Sequence, residues 1–94
     1  MAVAVILEFD GASLDQYEQV IEKMGFEHEG TGGPGGLFHW VTKTDNGFRV
    51  TDVWATREDF EKFSEEKIVP ISGEVGLPQP QVEFHEVHNY LTAA

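Results

Sequence analysis

The chain predicts an α+β fold in which one four-stranded antiparallel sheet carries two helices on a single face. Three observations lead there: four apolar runs of strand character, two amphipathic stretches of helical period, and their order β-α-β-β-α-β. That order is the split βαβ arrangement of a ferredoxin-like fold, and at 94 residues it accounts for the whole chain, 1–94, as a single domain.

Each element has a local reason. Residues 2–9 form a β-branched apolar run closed by Asp10-Gly11, a length that suits a buried strand, the first of the sheet. Ser13 then stands as a helix N-cap with Gln16 at the capping-box offset, and Leu14, Tyr17, Val20, Ile21 and Met24 recur at helical spacing until Gly25 stops the helix. From 29 to 36 the chain is mostly glycine, which neither helix nor strand favours, so a loop is predicted. Strands are expected over 37–43 and 48–55. Asn46-Gly47 between them signals a tight hairpin turn whose two central residues take φ > 0. Thr56 caps a second helix, with Asp59 at the capping-box offset and Phe60 and Phe63 on its inner side; Pro70 ends or kinks it near Val69, and 71–75 adds a further turn. Residues 81–91 read as the last strand.

Composition excludes several functions. Six Lys+Arg stand against 17 Asp+Glu, a formal net charge of -11, so the chain lacks the clustered cations that hold a phosphate backbone or an anionic membrane surface. No nucleic-acid or membrane partner is expected. The apolar start stops at Glu8, far short of the ~20 residues that span a bilayer, and it has no basic leader. With no cysteine, neither a disulfide framework nor a Cys-based zinc site is available, and the cytoplasm is the expected compartment.

The strands carry more apolar surface than two helices can cover. Leu37 and Val41 oppose Phe38 and Trp40, Val50 and Trp54 oppose Val53, and the first strand is apolar on both faces apart from Glu8. Burying each large side chain contributes about 1.5–3 kcal/mol, so the face without helices is expected to meet a partner, most simply a second copy of the chain.

The Gly-rich run entering Gly36-Leu37-Phe38-His39, the segment Phe48-Arg49-Val50-Thr51-Asp52-Val53-Trp54 and the ending Val87-His88-Asn89-Tyr90-Leu91 resemble small bacterial proteins of the dimeric α+β barrel superfamily, in a branch related to antibiotic-biosynthesis monooxygenase-like proteins. The resemblance covers nearly the whole chain. It implies a homodimer through the open face of the sheet and a cavity. It fixes no reaction, because the superfamily includes cofactor-free monooxygenases, haem-degrading enzymes, polyketide cyclases, lactone isomerases and members without known activity.

With a two-residue turn at Asn46-Gly47, His39, Val41, Asp52 and Trp54 share one face, and His39 and Asp52 are diagonal neighbours. The larger apolar members of the opposite face, Phe38 and Trp40, are assigned to the helices, so the His39 face is expected to look into the space between two sheets. A carboxylate beside an imidazole fixes its tautomer and makes it a positioned base, and an indole wall suits a flat aromatic substrate. The catalytic candidates are therefore His39 and Asp52, and the substrate-binding candidates are Val41, Trp54, His88 and Tyr90. His88 and Tyr90 enter through the resemblance and their shared strand face.

Two readings of that set stand side by side. In one, the protein is a cofactor-independent monooxygenase, isomerase or cyclase acting on a small aromatic or polyketide-like compound. In the other, it is a non-catalytic binding or structural dimer whose cavity is filled by its own side chains. No cofactor and no metal are expected. His85-Glu86-Val87-His88 falls one residue short of the zinc helix motif, and on a strand positions i and i+3 point to opposite faces. Gly30-Thr31-Gly32-Gly33-Pro34-Gly35 matches a dinucleotide fingerprint by letter, yet it follows a helix and opens a strand, the reverse of what that motif needs.

Overall fold

In the computed structural model, which describes residues 1–27, 29–33 and 35–92, the chain runs β1 (Val3–Asp10), α1 (Leu14–Met24), β2 (Gly36–Lys43), β3 (Gly47–Trp54), α2 (Arg57–Phe63), a π-helical turn (Ser64–Ile68), α3 (Val69–Val75) and β4 (Gln81–Glu86). The strands form one antiparallel sheet in the order β2-β3-β1-β4. This is the ferredoxin-like α+β fold expected from the sequence. No helix among the described residues is long and apolar enough to cross a membrane.

The core lies between the sheet and the helices, and β1 decides which face that is. Val3, Val5, Leu7 and Phe9 are buried and alternate with the less buried Ala4, Ile6 and Glu8. The β1–β3 register sets Trp54, Asp52, Val50 and Phe48 opposite those four, so the same face of β3 turns inward. Phe9 stacks on Phe48 with 4.8 Å between centroids, while Phe60 from α2 meets the Trp54 ring edge-on at 5.9 Å. This orientation is the reverse of the one the strand sequences predict. The size of Phe38 and Trp40 pointed to the helix side, yet both lie on the open face, and the alternation in β1 overrides them: one of its faces carries four large apolar side chains and the other carries Glu8.

The capping signals are realised. Ser13 Oγ accepts from the Gln16 amide at 3.2 Å while the Gln16 side chain accepts from the Ser13 amide at 2.9 Å, and α1 closes on Gly25 at φ 84°. Thr56 Oγ1 accepts from the Asp59 amide at 3.1 Å. Leu14, by contrast, is exposed in the first turn of α1 rather than part of its buried stripe.

The β2–β3 connection is longer than the Asn-Gly signal suggests. Lys43 pairs with Phe48, the Thr44 amide donates to the Gly47 carbonyl at 3.0 Å, and neither Asn46 nor Gly47 has positive φ. Contact with β1 governs this loop instead. The Gly11 amide donates to the Asn46 carbonyl at 2.7 Å, and a Cβ on Gly47 would lie 2.0 Å from the Phe9 carbonyl oxygen, so the glycine serves close approach rather than a left-handed turn.

Pro70 leaves the helix unbroken. The chain stays helical through it because the preceding turn widens: the Val69 amide donates to the Ser64 carbonyl, an i→i+5 bond, and Pro70 follows in the first turn of α3. The last strand is shorter than expected and ends at Glu86, which leaves His88 and Tyr90 beyond the sheet ladder.

Candidate active site

Register brings the central pair together more closely than the sequence suggested. Because the connection spans four residues rather than two, the ladder shifts by two positions, and His39 stands directly opposite Asp52. An even shift keeps every side chain on its face, so the pairing survives. A bulge at Leu37 then ends the regular ladder one step beyond His39.

Asp52 is only 4% exposed and its two carboxylate oxygens have separate donors. Oδ1 lies 2.6 Å from His39 Nδ1, and Oδ2 accepts from Trp54 Nε1 at 3.1 Å. A buried carboxylate can only accept in this arrangement, so Nδ1 carries the hydrogen and Nε2 of the neutral ring keeps a free lone pair. Tyr17 from α1 occupies that position, with its hydroxyl 2.6 Å from Nε2 and its ring parallel to the imidazole at 6.0 Å. Burial first, then the charges of Glu18 and Asp52, push the Tyr17 phenol up to about 12, so it holds its proton and donates to His39. The result is a single hydrogen-bonded chain, Trp54–Asp52–His39–Tyr17, drawn from three elements.

The chain borders a cavity of about 510 Å³ between the sheet and the helices. Its walls include Phe9, Phe26, Phe48, Trp54, Phe63 and Met24, and the glycine-rich segment closes one side. Gly33 packs closely there: a Cβ on it would crowd Phe63 at 3.2 Å and touch Phe26 at 3.6 Å, two rings that stack on one another at 6.2 Å. Ser72 of α3 also lines the space, and its buried hydroxyl has no partner among the described residues.

The candidate residues thus divide. His39, Asp52 and Trp54 meet at one cavity, which lies within one chain between sheet and helices rather than between two sheets. Val41 packs against the core cluster and is not part of the cavity wall. His88 and Tyr90 lie elsewhere: Tyr90 packs edge-on against Phe38 of the open face at 5.5 Å, and His88 borders a separate shallow depression with Met1 and Val87. Its spacing marks Tyr17 only as part of the apolar stripe of α1. The available signal was its hydroxyl, the one polar tip in an otherwise aliphatic row, which needs a partner when buried.

No family model matches the chain, and no curated protein matches it by sequence. Solved structures do match in three dimensions. One is a proposed antibiotic biosynthesis monooxygenase from Deinococcus radiodurans, with a TM-score of 0.59 at 11% identity over 100% of this chain and 99% of the other. Another is SnoaB, a cofactor-independent oxygenase from Streptomyces nogalater, with a TM-score of 0.62 at 14% identity over 98% of this chain and 97% of the other. The fold is that of the antibiotic-biosynthesis monooxygenase-like proteins.

Proposed function

We propose that the chain is a cofactor-independent enzyme acting on a small aromatic or polyketide-like compound, and that its chemistry begins with removal of a proton from a substrate hydroxyl or activated carbon. The observation that carries this reading is the hydrogen-bonded chain from Asp52 through His39 to Tyr17 at an aromatic cavity of about 510 Å³. A cavity of that size takes a ligand of two or three rings, which favours turnover over a dimer with a filled interior.

In this mechanism the substrate donates to Tyr17 Oη while Tyr17 donates to His39 Nε2. As His39 takes the tyrosine proton, Tyr17 takes the substrate's, and neither side chain has to move. Asp52 is the orienting group: it fixes the tautomer that leaves Nε2 basic and faces the imidazolium that forms. Trp54 supplies a wall and holds the second carboxylate oxygen. The substrate anion formed is electron-rich, so dioxygen can oxidise it directly, or it can isomerise or cyclise with return of the proton. Relatedness of fold to a cofactor-independent oxygenase supports the first outcome by analogy.

The open face of the sheet, with the half-buried Ile6 and Phe38 and the exposed Trp40, supports association of two chains through it, leaving one cavity per subunit. Quinols, anthrones and lactones are the compounds to screen, with His39→Ala as control. Loss of about 10²-fold or more in kcat is expected for that variant. Full activity in it would remove His39 from the mechanism.

A further inference from the structure

The charge of the cavity is as uneven as that of the chain. Among its described lining residues there is no lysine or arginine, while the ionisable ones are Asp52, Glu27, Glu29, His39 and Tyr17. Three of the six cations are engaged elsewhere: Arg49 bonds Glu8 on the opposite side of the sheet, Arg57 bonds Glu61 and covers the Phe84 ring, and Lys23 pairs with Glu74; Lys43, Lys62 and Lys67 are not among the lining residues. Glu27 and Glu29 are exposed and lie at the solvent side of the cavity. Glu29 holds φ 59°, the left-handed region, in a segment otherwise rich in glycine.

An anionic ligand would therefore enter past two carboxylates and settle near a third, without a cation to replace the water it sheds. A neutral ring system would lose nothing of the kind, and an amine or quaternary ammonium would find carboxylates at the mouth and the faces of Phe26, Phe63 and Trp54 within. We propose that the site selects aromatic compounds carrying no carboxylate, sulfonate or phosphate, and accepts the same rings bearing a cationic group. This rests on the reading of the cavity as a substrate site and narrows it to uncharged or cationic members of the aromatic class.

The test is a matched series on one ring: 2-naphthol, 2-naphthoate and (2-naphthylmethyl)trimethylammonium, titrated at pH 7.5 into the full chain. The Trp54 indole N–H resonance, assigned with Trp40→Phe, reports occupancy at this cavity. The expected result is binding of the neutral and cationic probes and about 10-fold or weaker binding of the carboxylate. The double variant Glu27→Gln with Glu29→Gln is expected to narrow that gap, and Glu65→Gln with Glu66→Gln, an equal change of net charge on the π-helical turn, to leave it unchanged. Carboxylate binding as tight as that of the neutral probe would overturn the filter, as would equal narrowing by both double variants or no shift of Trp54 with any probe. Catalysis is judged separately: the expected order in a protein that turns nothing over would leave the filter standing and remove the enzymatic reading.

Discussion

The Tyr17 ring lies 9° from parallel with the His39 imidazole, and its hydroxyl reaches Nε2 at 2.6 Å, so the only unprotonated nitrogen of the ring is met by a residue from the opposite layer of the fold. A residue that only packed there could lose its hydroxyl without consequence. Tyr17→Phe keeps the ring and its edge contact to Phe48, and as one hydrogen bond it is expected to shift stability by about 0.5–1.5 kcal/mol. Under the relay mechanism kcat is expected to fall by about 10²-fold or more with KM little changed. An equal or raised kcat would mean that Tyr17 merely occupies the place where substrate must reach His39.

The raised phenol of Tyr17 also makes a pH prediction. The group titrates at about 12 in the folded chain and at about 10 in an unfolded one. Its contribution to stability is therefore complete below about pH 10 and is lost as pH rises towards 12, because only the unfolded chain gains by ionising over that interval. Denaturant unfolding of wild type and Tyr17→Phe at pH 9, 10 and 11 checks this. The wild type is expected to lose stability relative to the variant over that range, and parallel pH profiles would contradict it.

Asp52→Asn separates orientation from packing. One oxygen of the buried carboxylate becomes an NH2 group, which must face either His39 Nδ1 or Trp54 Nε1–H. Facing His39, it favours the tautomer with the proton on Nε2, which can no longer accept from Tyr17. Activity is expected to fall by about 10³–10⁴-fold, with about 1–3 kcal/mol of stability lost to the imperfect partner. The tautomer change is visible in the ¹⁵N shifts of the His39 ring, and an unchanged ring with unchanged activity would remove Asp52 from the mechanism.

Fold and site were legible to different depths in the sequence. Caps, periodicity and apolar runs are local, and they placed both helices and all four strands near their positions. The inward face was written in β1, where Glu8 marks the outer side, but the bulk of Phe38 and Trp40 on β2 argued the other way. The pairing of His39 with Asp52 depended on a hairpin whose length contact with Phe9 and Gly11 sets, and no window around Asn46-Gly47 contains those residues. The hydroxyl of Tyr17 signals that it needs a partner but not which one: that partner is 22 positions away on another layer, and only packing of α1 against the sheet joins them.

Two glycines of similar appearance are expected to respond oppositely to alanine. Gly47→Ala forces a Cβ to 2.0 Å from the Phe9 carbonyl, a backbone atom held in the β1–β3 ladder, and a loss of about 3 kcal/mol or more is expected. Gly73 lies inside α3 with open space around the position and no left-handed φ, so Gly73→Ala is expected to stabilise by about 0.5–1 kcal/mol. Thermal unfolding of the two variants decides both.

Trp40 is 49% exposed in a single chain and sits opposite Thr51 in the open face, away from the cavity that Trp54 lines. If two chains associate there, Trp40 is buried by its partner and Trp40→Glu places a charge in an apolar interface. Equilibrium sedimentation at micromolar concentration is expected to give a dimer for the wild type and a monomer for Trp40→Glu. In Trp54→Phe, the remaining indole is expected to emit at shorter wavelength in the dimer than after dilution to monomer. The cavity belongs to one chain, so Trp40→Glu should still bind a neutral aromatic probe with the Trp54 N–H shifting as in the wild type. A wild type that sediments as a monomer would remove the interface, and the hydrogen-bonded chain from Asp52 to Tyr17 would stand without it.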